Sequence, residues 1–303
     1  MFRSFLFNWL SAQYSREVKS QLYEAAAEAL RGAAAGSESE TDVRADIGLV
    51  FARGAEYGSL LDRLEEAETT KGNNLKFTRG RYGKTRLAIV ETGDRAGAVR
   101  EGTLALLQVF QPRRVIAAGF AAALVPEIKR GSLFIPFRIT GSDGTEISLA
   151  PERLESPGGA MPAEDGPFET APLVSVQTLP AEPDARSELA RRTGAALADT
   201  SALQAAAVCR ESSAPCLVVK AVAAEQADRP PADLRRAAEA GKTSTARRLG
   251  ALFGTFTNRP SSLLDIYKVK ERELETAETL AEALIRIIAA SAEPACPEPP
   301  QSE

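Results

Sequence analysis

Histidine is absent from all 303 residues of the chain, and this absence removes several kinds of chemistry. Ser-His-Asp and Cys-His catalysis, zinc bound by histidine and a histidine general base all require an imidazole ring. Acid–base chemistry therefore has to come from Asp, Glu, Lys, Tyr or Cys side chains. No group of carboxylates has a spacing typical of metal ligands, so we expect neither a metal nor a cofactor.

Cysteine is scarce. The three cysteines are Cys209, Cys216 and Cys296, and they form no CxxC pair. An odd and sparse set argues against a disulfide framework and fits a reducing cytoplasm, which is the compartment we expect. Cys209 and Cys216 lie in apolar surroundings and are predicted to be small core residues.

Positive charge and long apolar runs are also limited. The net charge is −4 and the pI is about 5.4, whereas nucleic-acid-binding domains are normally basic, so we expect no nucleic-acid partner. No segment reaches the roughly 18 apolar residues of a transmembrane helix. The apolar start of the chain is short and lacks a cleavage site of small residues, so we expect no secretory signal.

The first 31 residues predict an amphipathic helix that is separate from the main domain. An Ala-rich stretch follows an apolar cluster at helical spacing, formed by Phe2, Phe5, Leu6, Trp9 and Leu10. We expect this helix to pack on the body of the protein or on a second copy. Contact with a membrane surface is the alternative, although the helix lacks a dense Lys/Arg face. Residues 32–45 are small, polar and acidic, which predicts a linker.

Residues 46–290 predict one α/β domain, followed by a disordered tail over 291–303. Predicted strands cover 46–52, 75–82, 86–92, 114–119, 132–139, 173–179, 195–198 and 216–223. Predicted helices include Leu60 to Leu64 and cover 96–110, 184–193, 201–211 and 262–290, whereas the composition of 151–172 predicts a loop. Apolar strands that alternate with helices indicate three layers around a central mixed, mostly parallel sheet.

Candidate site residues follow the predicted strands, because ligands in open α/β sheets bind beyond the carboxyl ends of strands. These strand ends lie at 53–56, 91–94, 118–123, 199–201 and 223–225. In this order they resemble the nucleoside phosphorylase and nucleosidase superfamily, which includes the 5′-methylthioadenosine/S-adenosylhomocysteine nucleosidases. The likeness is carried by 48–56, 91–93, 115–133 and 198–210 and spans most of 46–290.

The resemblance implies cleavage of the N-glycosidic bond of a purine nucleoside such as 5′-methylthioadenosine. In that chemistry an acid protonates the leaving base, water or phosphate attacks from the other face, and a Glu holds the ribose hydroxyls. Glu56 takes the position of the glutamate that orients the attacking water. Ligand contacts are implied at Gly93, Gly119, Phe120, Ala121, Asp199, Thr200 and Ser201. Family members are commonly oligomeric, so the resemblance also implies a homo-oligomer.

The sequence departs from the family pattern at three strand ends. Phe120 replaces a serine in the Gly-rich turn, Thr200-Ser201 replaces a Met-Glu pair, and Ala223-Ala224 replaces the Ser-Asp that supplies the general acid. Ala224 thus marks the position of the lost acid, and Glu225 or Asp228 substitutes for it only in a shifted loop. Since general-acid help is typically worth about 10²–10⁴-fold, a large loss of rate is expected.

Three functions remain open on these residues. One is a weakened N-glycosidase in which Glu56 activates water, and the second is an inactive pseudoenzyme that binds a ligand or a partner. The third is a scaffold tied to a partner or a membrane surface through residues 1–31. Phosphorolysis is disfavoured, because no basic cluster accompanies the Phe120 turn to hold phosphate, although Arg53 and Arg95 lie at neighbouring strand ends.

Overall fold

The computed structural model describes residues 44–72, 75–149, 167–229 and 260–291. The predicted N-terminal helix (1–31), almost all of the predicted linker, most of the predicted loop at 151–172 and all but the first residue of the predicted tail lie outside these ranges. The helical stretch predicted after Pro231 also lies outside them as far as residue 259.

The described part of the chain contains twelve strands and five α-helices. The strands are β1 Ile47–Phe51, β2 Glu65–Gly72, β3 Leu75–Tyr82, β4 Thr85–Glu91, β5 Arg114–Ala123, β6 Leu133–Phe134, β7 Arg138–Gly141, β8 Glu146–Ser148, β9 Phe168–Glu169, β10 Pro172–Ser175, β11 Leu197–Asp199 and β12 Cys216–Ala224. The helices are α1 Gly58–Leu61, α2 Ala96–Phe110, α3 Pro183–Thr193, α4 Ala202–Glu211 and α5 Pro260–Ser291, and a 3₁₀ turn spans Gly54–Glu56.

All described strands belong to one mixed sheet with a parallel centre. The main strand order is β2-β3-β4-β1-β5-β11-β10-β7-β8, and β12 pairs with both β5 and β6. β1 runs parallel to β4 and β5, and β5 runs parallel to β12. Every residue of β1 is buried, as expected for a central parallel strand that is covered on both faces. The predicted α/β class with a central mixed sheet is confirmed.

Helices cover both faces of the sheet. Successive side chains of β12 point alternately into the two cores that these helices cover. Val218 and Val222 join the core beneath α2 and α4, and Cys209 of α4 is fully buried there. Leu217 and Val219 point the other way, into the core beneath α5. Since successive strand residues face opposite sides, a single strand supplies both cores. The carboxyl ends of β1, β5 and β12 are therefore held between two packed layers.

Some predicted elements differ from the observed ones. β2, whose sequence is EEAETTKG, has no predicted counterpart, because it carries no apolar alternation; it pairs with β3 at the end of the strand order, where polar residues are tolerated. The strand predicted over 132–139 is two short strands, with Pro136 between them. β5 extends to Ala123, and the first helix ends at Leu61 rather than including Leu64.

We predict that Leu284→Ala in α5 destabilises the fold by about 2–5 kcal/mol, because Leu284 is fully buried and its truncation leaves a cavity. Leu274→Ala on the same helix is the matched control, since this leucine is 65% exposed, and we expect a change within about 0.5 kcal/mol. Urea unfolding of both variants measures the difference. Equal stabilities would show that α5 does not pack on the sheet as described.

Candidate functional site

A cleft of about 480 Å³ opens at the carboxyl ends of β1, β5 and β12, beside α5. This volume lies in the range of small-molecule sites. The structure brings six of the predicted site residues to its wall: Glu56, Phe120, Ala121, Thr200, Ser201 and Ala224. Gly119 and Asp199 lie behind the wall, and Gly93 forms a turn with φ +77° immediately before Asp94, which lines the cleft.

The carboxylate of Glu56 joins the ends of two central strands. Its Oε2 accepts hydrogen bonds from the backbone N–H groups of Ala52 (3.0 Å) and Arg53 (2.9 Å), after β1. Its Oε1 accepts one from the N–H of Phe120 in β5 (3.1 Å). A carboxylate has about four acceptor positions, so one position on Oε1 remains for a water or ligand donor. Glu56 is only 4% exposed, and its position is fixed by these three bonds.

Gly119 makes this bridge sterically feasible. Its φ of +150° lies outside the range that L-residues ordinarily adopt, and a Cβ here would lie 3.1 Å from the carboxylate atoms of Glu56. A side chain here would require β5 or the carboxylate to shift by a few tenths of an ångström. Gly119, which was predicted to contact the ligand, therefore contributes to the position of Glu56.

Phe120 forms the wall of the cleft next to Glu56. Its side chain is 6% exposed and belongs to the core beneath α5. The Arg53 guanidinium lies 5.7 Å from the ring centroid, within cation–π range, and 3.8 Å from Oε1 of Glu56. An aromatic ring and a guanidinium thus flank the carboxylate on its cleft side.

Tyr57, which follows the Glu56 turn, links this turn to the end of β4. Its hydroxyl donates to Oε2 of Glu91 at the end of β4 (2.7 Å), and Lys76 lies 3.5 Å from the same carboxylate oxygen. Burial raises the pKa of the Tyr57 phenol, and the nearby Glu91 carboxylate raises it further. The phenol therefore stays protonated and serves as a hydrogen-bond donor. The ends of β1 and β4 are tied together by this contact.

A buried ion pair lies beneath the opposite side of the cleft. Lys220 of β12 and Asp199 of β11 are each 1% exposed, with Nζ and Oδ2 2.7 Å apart. Oδ1 of Asp199 accepts from the Ser175 hydroxyl (2.5 Å), and Oδ2 also accepts from Ala202 N–H at the start of α4 (2.8 Å). The Ser201 hydroxyl lies 3.3 Å from Oδ2. Asp199 therefore binds four protein donors, whereas Ser201 lines the cleft.

The end of β12 contributes two small apolar side chains, Ala223 and Ala224, to the cleft wall. The pairing of β12 with β5 shifts register between Val222 and Ala224, so the strand bulges where it reaches the site. Bulges commonly re-aim side chains next to functional sites. Neither alanine can donate or accept a proton.

The loop after β12 is held by one buried arginine. Arg186 of α3 donates to the carbonyl oxygens of Pro180, Glu225, Gln226 and Asp228. Burial lowers the pKa of its guanidinium from the usual value. These bonds tie the loop before α3 to the loop after β12, so both walls of the cleft depend on Arg186.

The two acidic residues of this loop bind protein partners. Oδ2 of Asp228 accepts from the Arg130 guanidinium (2.6 Å) and from the N–H of Glu225 (2.7 Å). Oε1 of Glu225 accepts from the Arg130 N–H (3.3 Å). Asp228 lines the cleft, but the same carboxylate oxygen caps the loop and pairs with Arg130.

Sequence reasoning did not single out Lys220, Ser175 or Arg186. A signal existed for Lys220, because it is the one charged residue in the apolar strand CLVVKAVAA, and a buried charge requires a partner. Ser175 and Arg186 carry no such signal, since their roles depend on contacts between segments distant in sequence.

A second cavity of about 440 Å³ adjoins the cleft. The two cavities share a wall, which is formed by Asp94, Gln177, Thr178 and Thr200. Ser142 and Gln204 add further polar groups to the second cavity.

In residues 44–72, 75–149, 167–229 and 260–291, no group of three or more Cys, Asp or Glu side chains is placed to hold a metal ion. Over the same ranges, no helix combines the length and apolar character needed to cross a membrane.

Comparison with known proteins identifies relatives of this fold. A sequence model of the family described as "Phosphorylase superfamily" matches residues 46–254. No curated protein sequence matches the chain. Among solved structures, the 5′-methylthioadenosine/S-adenosylhomocysteine nucleosidase of S. pneumoniae, solved with a transition-state inhibitor, has a TM-score of 0.59 at 13% identity, covering 80% of this chain and 98% of its own.

Two Helicobacter pylori structures are similar to the same extent. The 5′-methylthioadenosine/S-adenosylhomocysteine nucleosidase has a TM-score of 0.57 at 14% identity, with 82% of this chain and 99% of that chain covered. A futalosine hydrolase mutant has a TM-score of 0.55 at 13% identity, with 80% and 97% covered. At such low identity these likenesses establish the shared fold.

We predict that Gly119→Ala destabilises the protein by about 1–3 kcal/mol, because it adds a side chain at a positive φ and against the Glu56 carboxylate. Gly97→Ala is the matched control: nothing lies within 4 Å of its added Cβ and it sits in α2, so we expect neutral or slightly increased stability. Thermal and urea unfolding measure both. A Gly119→Ala protein as stable as the wild type would contradict the close approach of β5 to Glu56.

Proposed function

The chain belongs to the phosphorylase superfamily, and from this premise we propose that its cleft binds a purine nucleoside without efficiently cleaving the N-glycosidic bond. The observation that supports the loss of cleavage is the pair Ala224 and Ser201, which line the cleft and bring no carboxylate to it. The resemblance implies that a residue at the position of Ala224 protonates the leaving base. It implies that a residue at the position of Ser201 holds the ribose hydroxyls.

Retention of binding is supported by the intact architecture of the cleft. The volume of about 480 Å³ suits a small ligand. Arg186 holds the loops that form its wall, and Glu56 holds the ends of two strands. Thr200 and Ser201 still offer hydroxyl groups.

Loss of cleavage is supported by the orientation of the remaining acids. Departure of the base requires a proton donor at its ring nitrogen, and general-acid help is typically worth about 10²–10⁴-fold. The nearest acidic candidates after β12, Glu225 and Asp228, accept hydrogen bonds from Arg130 and from the loop backbone. Moving either one to the base would break contacts that Arg186 also stabilises.

Slow hydrolysis is the second candidate. It is favoured by Glu56, whose Oε1 retains an acceptor position beside the cleft and could hold an attacking water. Phe120 and Arg53 lie on the cleft side of this carboxylate, which restricts the space for water or phosphate. The two candidates differ in whether free base is released.

We predict that the purified protein binds purine nucleosides and releases little or no base. The experiment incubates it with 5′-methylthioadenosine, S-adenosylhomocysteine or inosine, with and without phosphate, and quantifies free base by chromatography, while calorimetry measures binding. Release that disappears in Glu56→Gln would instead establish the hydrolase. Neither binding nor release from a folded protein would overturn the proposal in both forms.

We further predict that Ala224→Asp raises base release by about tenfold or more, because it restores a carboxyl group at the position implied for the general acid. Ala223→Asp is the matched control, since it adds the same charge to the same wall one residue away. Single-turnover measurements with 5′-methylthioadenosine compare the variants. Equal rates in the wild type and in Ala224→Asp would show that the missing acid does not limit cleavage.

A further inference from the structure

Arg186 holds the loops of the cleft with only part of its guanidinium group. Its Nε donates to the carbonyl oxygen of Pro180 (3.0 Å). Its Nη1 donates to the carbonyl oxygens of Glu225, Gln226 and Asp228. A guanidinium has five N–H groups, and two of them belong to Nη2. Within the described ranges, Nη2 of Arg186 has no hydrogen-bond partner and is not sealed from solvent. Since Arg186 lines the cleft, these two N–H groups are available to a ligand.

The positive charge of Arg186 has no carboxylate in contact with it. The residue is 5% exposed, and it forms no ion pair with any described carboxylate. Asp228 and Glu182 attract its guanidinium from a greater distance. However, the Asp228 carboxylate pairs with Arg130 (2.6 Å), and Oε2 of Glu182 lies 3.9 Å from Nε of Arg229. A buried charge is costly when no opposite charge contacts it, so a negatively charged ligand group would offset this cost.

Two further arginines line the same cleft and have unused donors. The Arg229 side chain is 69% exposed and belongs to the loop that Arg186 holds. Arg272 of α5 is exposed, and its side chain forms no hydrogen bond or ion pair with any other described residue. Three guanidinium groups, one fixed and two exposed, are therefore available to a group in the cleft.

The charge of the cleft is opposite in sign to that of the chain. Among the described residues, five arginines and four carboxylates line the cleft, whereas the chain has a net charge of −4. Three of these carboxylates bind protein groups: Glu56 binds backbone amides, Asp228 binds an arginine, and Glu273 binds the lysine three residues before it. The fourth, Asp94, lies on the wall shared with the second cavity. The excess of positive charge favours an anionic ligand.

We infer that the cleft takes a purine nucleoside that carries an oxyanion, such as a phosphate group, and that Arg186 binds this group together with Arg229 and Arg272. Guanidinium donors match the oxygen atoms of phosphate and carboxylate groups, and the resulting hydrogen bonds are charge-assisted. Arg186 is held by four carbonyl oxygens, so it fixes where the oxyanion binds. None of the three arginines occupies a position at which the resemblance implies ligand contact. The inference rests on the proposed nucleoside binding.

The test compares adenosine with adenosine 5′-monophosphate, adenosine 3′-monophosphate and inorganic phosphate by calorimetry. The wild type is expected to bind at least one monophosphate about tenfold or more tightly than adenosine, because hydrogen bonds to charged groups are the stronger ones. This preference decreases as the salt concentration rises, whereas the affinity for uncharged adenosine changes little. Inorganic phosphate alone is expected to bind more weakly than the preferred monophosphate. Equal affinity for the two would show that the arginines bind free phosphate, which overturns the inference.

Substitutions of the arginines test each contribution. Arg272→Gln is expected to reduce the preference for the monophosphate by about twofold to fivefold, the range for an exposed charge pair, and to leave the affinity for adenosine unchanged. Arg286→Gln is the matched control, since this arginine is exposed on the same helix but does not line the cleft. Arg186→Lys keeps the charge and removes the second donor nitrogen, so we expect the largest loss of preference there. A role in holding the loops alone would weaken adenosine and the monophosphate equally.

The outcomes separate this inference from the proposed function. Equal affinity for adenosine and both monophosphates, or a preference that survives Arg186→Lys in a folded protein, overturns the inference and leaves nucleoside binding standing. Absence of binding by adenosine and by both monophosphates overturns both. If circular dichroism shows that Arg186→Lys does not fold, the double variant Arg229→Gln and Arg272→Gln decides, and an unchanged preference in that variant overturns the inference.

Discussion

The Glu56 carboxylate is the contact on which the geometry of the cleft depends. It accepts three backbone hydrogen bonds from two strands that approach each other at their carboxyl ends, β1 and β5. Hydrogen bonds between a carboxylate and backbone amides are stronger than neutral ones, and removing the acceptor leaves several donors unpaired. Gly119 leaves space for this contact, and the next residue, Phe120, lines the cleft. Glu56 therefore has a structural role in addition to the catalytic role that the resemblance implies.

The main elements could be predicted from the sequence because their periodicity is strong. α2 begins and ends where its apolar spacing indicates, and the apolar strands β1, β5 and β12 form the parallel centre. β2 could not be predicted, since its polar sequence carries no signature of burial and its pairing with β3 is decided by the neighbouring strand. Local pattern determines the elements that build the core, and tertiary contact determines the polar elements at its edge.

The candidate site was predictable to the extent that it lies at strand ends. Glu56, Phe120, Thr200, Ser201 and Ala224 meet in one cleft, as the order of the strands indicates. The partners of these residues were not predictable. Arg186 reaches the loop after β12 from a different helix, and Asp199 meets Lys220 across neighbouring elements that are separated by α4 in sequence. Such contacts depend on which side chains meet in the folded protein, and no regular spacing in the sequence indicates them.

The charged groups around the cleft bear on the proposed function, because several of them are held by protein partners. Three acids at or beneath the cleft bind protein groups: Glu56 binds backbone amides, Asp228 binds Arg130, and Asp199 binds Lys220. A carboxylate that accepts several hydrogen bonds from the protein is held in place and has few acceptor positions left for a ligand. Hydroxyl groups, by contrast, can be oriented by such carboxylates and still face the cleft, as Ser201 does. Under the proposed function, such a site recognises a ligand through neutral groups whose geometry is fixed by the buried charges.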